Sequence, residues 1–351
     1  MEIRRLQKIK GGSFTLSLPK NWVEKRKLKS GEQMAVLEEE DGAIRIFPVE
    51  MPLERPLEVM LKLEDYPTLR ALEYSVGTYY TQGSNKITIF SKDPISAEHK
   101  KRLKLLRMEL PGMEVGEEEA NKLGFQVLID PSIFSIESLV EKTSSFSLHL
   151  QEDAIKSLLE YDFQLAAEVL ERSKEAMRHY RMTIRQVALA SLSKSIAKKV
   201  GVKSCRECIT FALVARDLNR VVYHSSSIAE HVLALNQQKK KINKDILNII
   251  VEMAAVAYEM QKMAAQAFLR KDVRSAVLAM GKMEKIRGKE KVLLTNVMEK
   301  TRDVDTAVIL GMIARDLRRI AGYAVAIADD AMNRVLTPIS DQNVHARFLC
   351  S

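Results

Sequence analysis

At 351 residues, 46% hydrophobic and 29% charged, the chain has ordinary globular composition and the length for two or three domains around a sizeable core. No stretch nears the roughly 18 uninterrupted apolar residues of a membrane span, and the start MEIRRLQKIK is too charged for a secretory segment, so a cytoplasmic protein without membrane insertion is expected. Three cysteines, Cys205, Cys208 and Cys350, are too few and too unevenly placed for a disulfide framework. The net charge of +9 is concentrated at the front, where residues 1–30 hold nine Lys/Arg against Glu2 and Glu24, and such a surplus suits a polyanionic partner.

Residues 1–50 carry strand signals. RRLQKI is followed by Gly11-Gly12 and then by SFTLSLP, in which Phe14, Leu16 and Leu18 alternate with polar residues. KNWVEKRKL follows Pro19 and holds one helical turn or two, ended by Gly31. QMAVLEEE and AIRIFP are joined by Asp41-Gly42, a dipeptide suited to a tight primed turn because both central residues take positive φ. The expected order is β-β-α-β-β. So short a segment buries little surface, so it either packs on the rest of the chain or pairs with a second copy; a homodimer is the simpler expectation.

Residues 55–131 mix two periods. EVMLKL and KITIFS read as strands, with helices in PTLRALEYSVGTYYTQG and SAEHKKRLKLLRMEL, and MEVGEEE and FQVLID close the segment as a hairpin around Asn121–Gly124. A small α/β unit of order β-α-β-α-β-β is expected. Its glycines are scattered singly and form no phosphate-binding loop.

Eight of the nine prolines lie in the first 131 residues, and only Pro338 lies beyond. Because an interior proline costs a helix about 3 kcal/mol, the proline-free run 132–337 predicts long helices. It also repeats itself. ALVARDLNRVVYHSSSIAE at 212–230 aligns without a gap with GMIARDLRRIAGYAVAIAD at 311–329, an offset of 99 residues that includes Asp217 with Asp316 and Arg220 with Arg319. Two copies of one unit are implied, each of three helices: about 133–160, 162–199 and 204–236, then 243–270, 272–300 and 303–336. The fold class expected is multidomain α+β, with a β front (1–50), a small α/β middle (55–131) and two three-helix bundles (132–236 and 243–337).

The run Gly11-Gly12-Ser13-Phe14-Thr15-Leu16-Ser17-Leu18-Pro19-Lys20, followed by Trp22, Gly31, Asp41-Gly42 and Pro48, resembles the SpoVT/AbrB family of swapped-hairpin DNA-binding domains. The resemblance implies two chains with interleaved hairpins whose basic strands lie along double-stranded DNA. The two helical repeats resemble the PhoU family of phosphate-uptake regulators, through Leu218-Asn219-Arg220-Val221-Val222-Tyr223-His224 to Ile228-Ala229-Glu230 and Leu317-Arg318-Arg319-Ile320-Ala321-Gly322-Tyr323 to Ile327-Ala328-Asp329. That family's metal-binding E-x-x-x-D falls on Asn219 with Tyr223 and on Arg318 with Gly322. No carboxylate stands at these positions, so multi-metal clusters are not expected. Asp217, Asp316, Glu230 and Asp329 remain, and are expected to be solvated on helix surfaces.

Arg4, Arg5, Lys8 and Lys10 supply cations for backbone phosphates, and Ser13, Thr15 and Lys20 can add hydrogen bonds. Arg4 and Arg5 point to opposite sides of a regular strand, and the sequence does not say which meets DNA. Gly11-Gly12 serves a turn or cradles a phosphate; Trp22 is expected in the core of the small domain. Cys205-Arg-Glu-Cys208 has no second such pair, no metal or nucleophile motif occurs, and neither an enzyme nor a cofactor is expected. The expected function is a DNA-binding regulator of phosphate uptake. The alternative is an interaction protein that docks its bundles on a phosphate transporter or its ATPase subunit; an antitoxin-like role is a third reading of the same small fold.

Overall fold

Gly11 and Gly12, both at positive φ (114° and 95°), turn the front of the chain back on itself. The computed structural model describes residues 3–9, 11–38, 42–49, 57–130, 133–238 and 241–336. Strands β1 (Gln7–Lys8) and β2 (Phe14–Thr15) pair antiparallel across that turn, with Gln7 opposite Thr15 and Lys8 opposite Phe14. They are shorter than the alternation in the sequence suggests, and among the described residues no third strand joins the pair. Helix α1 (Lys20–Lys25) begins after Pro19, and β3 (Met34–Glu38) pairs antiparallel with β4 (Ile44–Pro48), Val36 opposite Ile46. Residues 1–55 form one compact unit and 56–351 a second.

The second unit opens with the expected β-α-β-α-β-β order: β5 (Glu58–Lys62), α2 (Leu69–Thr81), β6 (Lys86–Phe90), α3 (Ala97–Leu105), β7 (Met113–Glu119) and β8 (Lys122–Val127). The sheet order is β5-β6-β8-β7, with β5 and β6 parallel and the remaining pairs antiparallel. Leu72, Val76 and Tyr80, four residues apart on α2, and Leu103 of α3 pack with Leu61, Ile87, Ile89, Leu123 and Phe125 of the strands. The closing hairpin turns at Ala120–Asn121 rather than across Asn121–Gly124. Gly124 sits inside β8 opposite Glu117, at a bulge that offsets the register between Val115 and Glu117.

Among the described residues eight helices follow: α4 (Ile136–Glu160), α5 (Phe163–Leu192), α6 (Lys194–Lys199), α7 (Cys205–Gln238), α8 (Lys244–Arg270), α9 (Val273–Gly281), α10 (Met283–Lys300) and α11 (Val304–Val335). Side chains of Ser135, Asp162, Ser193, Asn243, Asp272 and Asp303 cap N-termini by accepting the backbone N–H of the second or third helical residue. The first helix of each repeat ends alike, on a non-glycine left-handed residue followed at once by an aspartate cap: Tyr161-Asp162 and Lys271-Asp272. The second helix of each repeat, expected unbroken, is interrupted at Ser193, which caps α6, and at Lys282. One continuous apolar core runs through both repeats, with Met253 and Met260 fully buried in it.

The α/β part is fixed to the helices through α5. Arg185 Nη1 donates to the carbonyls of Tyr80 (2.7 Å) and Ser84 (2.8 Å) at the end of α2, and the guanidinium lies 5.0 Å from the centre of the Tyr80 ring. Burial pushes the Tyr80 hydroxyl up to about 12. Gly83, at φ +101°, completes the junction: a Cβ there would lie 2.7 Å from Leu189 Cδ2.

Candidate nucleic-acid interface and the duplicated helical seam

In the first unit the hairpin divides the candidate DNA-binding residues. Residues opposite each other in an antiparallel pair share a face and neighbours along a strand do not, so Lys8 shares a side with Phe14 while Thr15 shares the other with Gln7. Arg4, Arg5, Ser13 and Lys20 are exposed, and Lys20 sits at the start of α1, 3.6 Å from Glu24. Lys10 lies outside the described residues. Both glycines of the turn adopt φ values that only glycine takes without strain, which accounts for them as a turn. Trp22 is half-buried rather than enclosed, and the Arg26 guanidinium stands 5.9 Å from its ring centre.

Many of the apolar residues of this unit are uncovered. Among its described residues Pro48 alone is buried, while Ile3 (81%), Leu6 (65%), Phe14 (60%), Val36 (66%) and Ile44 (65%) stay exposed. Apolar side chains of this size left exposed on so small a unit are a face awaiting cover.

In the second unit, α7 and α11 pack antiparallel: Arg334 near the end of α11 meets Glu207 near the start of α7, and Asp316 near the start of α11 meets His231 near the end of α7. At the midpoint His224 stacks on Tyr323 (ring centres 5.7 Å apart, 26° between planes), its own repeat equivalent at the 99-residue offset. A local two-fold relation between the repeats passes through this contact.

Asp217 and Asp316 are not solvated surface acids, as the sequence led us to expect. They are 1% and 0% exposed, in the seam between the repeats. Asp316 Oδ1 lies 3.0 Å from His224 Nδ1, and Oδ2 lies 3.3 Å from His231 Nε2. Burial alone would raise this carboxyl, but the neighbouring imidazoles of His224 and His231, with Ser227, hold it well below the usual range, while its Oδ2, like that of Asp217, makes no hydrogen bond. Asp217 accepts from Arg216 Nε at 2.9 Å, its Oδ2 has no hydrogen-bond partner, and burial pushes it up. Glu230 and Asp329 are exposed, as expected.

The positions of the family's metal ligands offer an amide (Asn219), an exposed phenol (Tyr223), a guanidinium (Arg318, 3.3 Å from Glu290) and no side chain (Gly322). This donor set does not fit a cluster of hard cations, which want grouped carboxylate oxygens. Among the described residues no group of three or more His, Cys, Asp or Glu is placed to hold a metal ion. Cys208 is buried.

These features define a protein of duplicated helical bundles joined back to back along their third helices. The family model for the PhoU domain matches residues 140–232 and again 250–331, one match on each repeat, and the helical region of this chain belongs to the PhoU family. A phosphate-specific transport system accessory protein, PhoU homolog 1 of Thermotoga maritima, is 27% identical over 184 residues, which cover 51% of this chain and 77% of that protein. Among solved structures, PhoU of Pseudomonas aeruginosa superposes with a TM-score of 0.50 at 19% identity, covering 56% of this chain and 93% of that one. The phosphate transport system regulatory protein PhoU of Streptococcus pneumoniae gives 0.48 at 17% identity, with 56% and 91% covered. No helix among the described residues is long and apolar enough to cross a membrane.

Proposed function

We propose that this chain is a homodimeric, DNA-binding regulator of phosphate uptake, in which residues 1–50 act as an AbrB-type domain on double-stranded DNA and the PhoU repeats relay phosphate status. The observation that carries the DNA part is the pairing, on one small unit, of an uncovered apolar face with exposed cations at Arg4, Arg5 and Lys8. A unit that buries almost none of its own apolar residues gains most from a second copy, since each fully buried side chain of this kind is worth about 1.5–3 kcal/mol. A two-fold assembly doubles the cations and sets them along one duplex. Phosphate contacts need little more than cations and hydrogen-bond donors on a fixed frame. The phosphate part rests on the family of the repeats and on the accessory role named for the Thermotoga maritima relative.

A second reading has an observation of its own. The Thermotoga maritima relative is named as an accessory protein of a transport system, and on that reading the helical repeats dock on a phosphate transporter or its ATPase subunit while the front only dimerises. Titration of fluorescent duplex DNA with the full chain separates the two. A protein that neutralises several phosphates loses affinity steeply with salt, about 10³–10⁵-fold between about 50 and 200 mM for six to ten contacts. A steep salt slope is expected; binding that is undetectable or indifferent to salt overturns the DNA reading and leaves the docking one.

A further inference from the structure

The divergence of the two repeats leaves two acids buried in one seam, near enough for the charge of Asp217 to act on Asp330. On one side of the His224–Tyr323 contact, Asp316 of α11 faces His231 of α7. On the other side the repeat equivalents are Asp217 of α7 and Asp330 of α11, so a second carboxylate stands where the first half has an imidazole. Asp217 and Asp330 are 1% and 5% exposed, and Asp217 Oδ2 is buried without a hydrogen-bond partner. Arg216 reaches only Oδ1 of Asp217 and is itself half-exposed. Two carboxylates largely withdrawn from water, with a partly solvated Arg216 reaching only one of them, do not both ionise at little cost.

We propose that Asp217 and Asp330 hold one proton between them and release it as the surroundings turn alkaline, making the α7–α11 seam a proton-sensitive joint between the two repeats. Burial first, then the charges of Asp217 and Asp329, push Asp330 up to about 7, and Arg216 opposes them. Burial likewise raises Asp217 against Arg216 and Arg220. The charges acting on the pair therefore come from Arg216 and Arg220 on α7 and Asp329 on α11. Arg334, one turn beyond Asp330, is engaged with Glu137 and Glu207. The paired titration belongs to the two acids jointly.

The sign follows from linkage. Below pH about 4 the acid is neutral in folded and unfolded chains alike. As pH rises to 7 the unfolded chain ionises while the fold keeps its proton, so stability falls across that window and levels off above it. Carboxyl 13C shifts of the full chain, assigned by Asp330→Asn and Asp217→Asn, are expected to show one seam aspartate titrating within about a unit of pH 7. In each single variant the remaining acid is expected to titrate lower. The melting temperature of Asp330→Asn relative to the parent is expected to be several degrees higher at pH 8 than at pH 5. Both aspartates titrating below pH 5 in the unmodified chain would overturn the proposal whether or not the variants fold, as would a melting difference independent of pH.

Discussion

Replacing Arg334 by alanine is expected to lower the free energy of unfolding by about 3–5 kcal/mol, the range for removing one partner of a buried ion pair. The Arg334 side chain is 1% exposed and lies over the rings of Phe211 (4.6 Å) and Phe268 (4.9 Å). Its Nη1 donates to the Phe268 carbonyl at 3.0 Å, Nε to Glu207 Oε1 at 3.3 Å, and Nη2 to Glu137. One guanidinium thus ties α11 to α4, α7 and α8. Alanine leaves Glu207, itself 9% exposed, with only the backbone N–H of Lys203 and a half-exposed Lys271 as partners, and opens a void between two phenyl rings.

Denaturant unfolding of the full chain should show the midpoint falling at unchanged slope. A loss below about 1 kcal/mol would mean that water replaces the guanidinium freely. The pH dependence has a definite sign. Burial would raise Glu207, but Lys203 N–H, Lys271 and Arg334 together hold it below the ordinary glutamate range. Its contribution is therefore full above that range and is lost as pH falls through the folded-state titration. The alanine variant should lose part of this acid sensitivity.

Replacing Lys8 by glutamate is expected to weaken duplex binding and flatten its salt dependence. Lys8 is the cation whose side of the hairpin is fixed by strand register. If it meets a phosphate in each of two protomers, its loss reduces the slope of log K against log salt by about two, one for each contact removed. The introduced carboxylate adds repulsion, so affinity at low salt should drop at least about tenfold. A change in affinity with no change in slope would show that Lys8 acts through folding or dimerisation rather than on the phosphates. Thr15→Ala is a useful contrast, since Thr15 lies on the opposite side of the same hairpin.

The helical architecture was legible because proline is absent over 132–337 and because the offset of 99 residues exposes the duplication directly. Breaks at Ser193 and Lys282 were harder to read, since a serine among serines and a glycine beside a lysine interrupt a helix only when local caps and packing allow it. The hairpin was misplaced by reading Gly124 as a turn residue, whereas it lies in β8 beside a bulge. The seam was the largest omission. Asp217 and Asp316 each precede a leucine that is buried, and a single helix pattern assigns an aspartate there to solvent. Their burial depends on the other repeat, whose antiparallel approach no periodicity within one helix encodes. A usable signal was present all the same: both copies keep the aspartate at the same repeat position while Asn219 and Arg318, two residues on, have diverged.

Genome-wide crosslinking of the full chain to DNA under phosphate-replete and phosphate-starved growth tests most directly whether one chain links phosphate supply to occupancy of DNA. Discrete DNA sites whose occupancy differs between the two conditions, lying near genes for phosphate uptake, are the predicted result. Crosslinks no denser than background in both conditions, with the protein recovered instead on a transporter subunit, would contradict it.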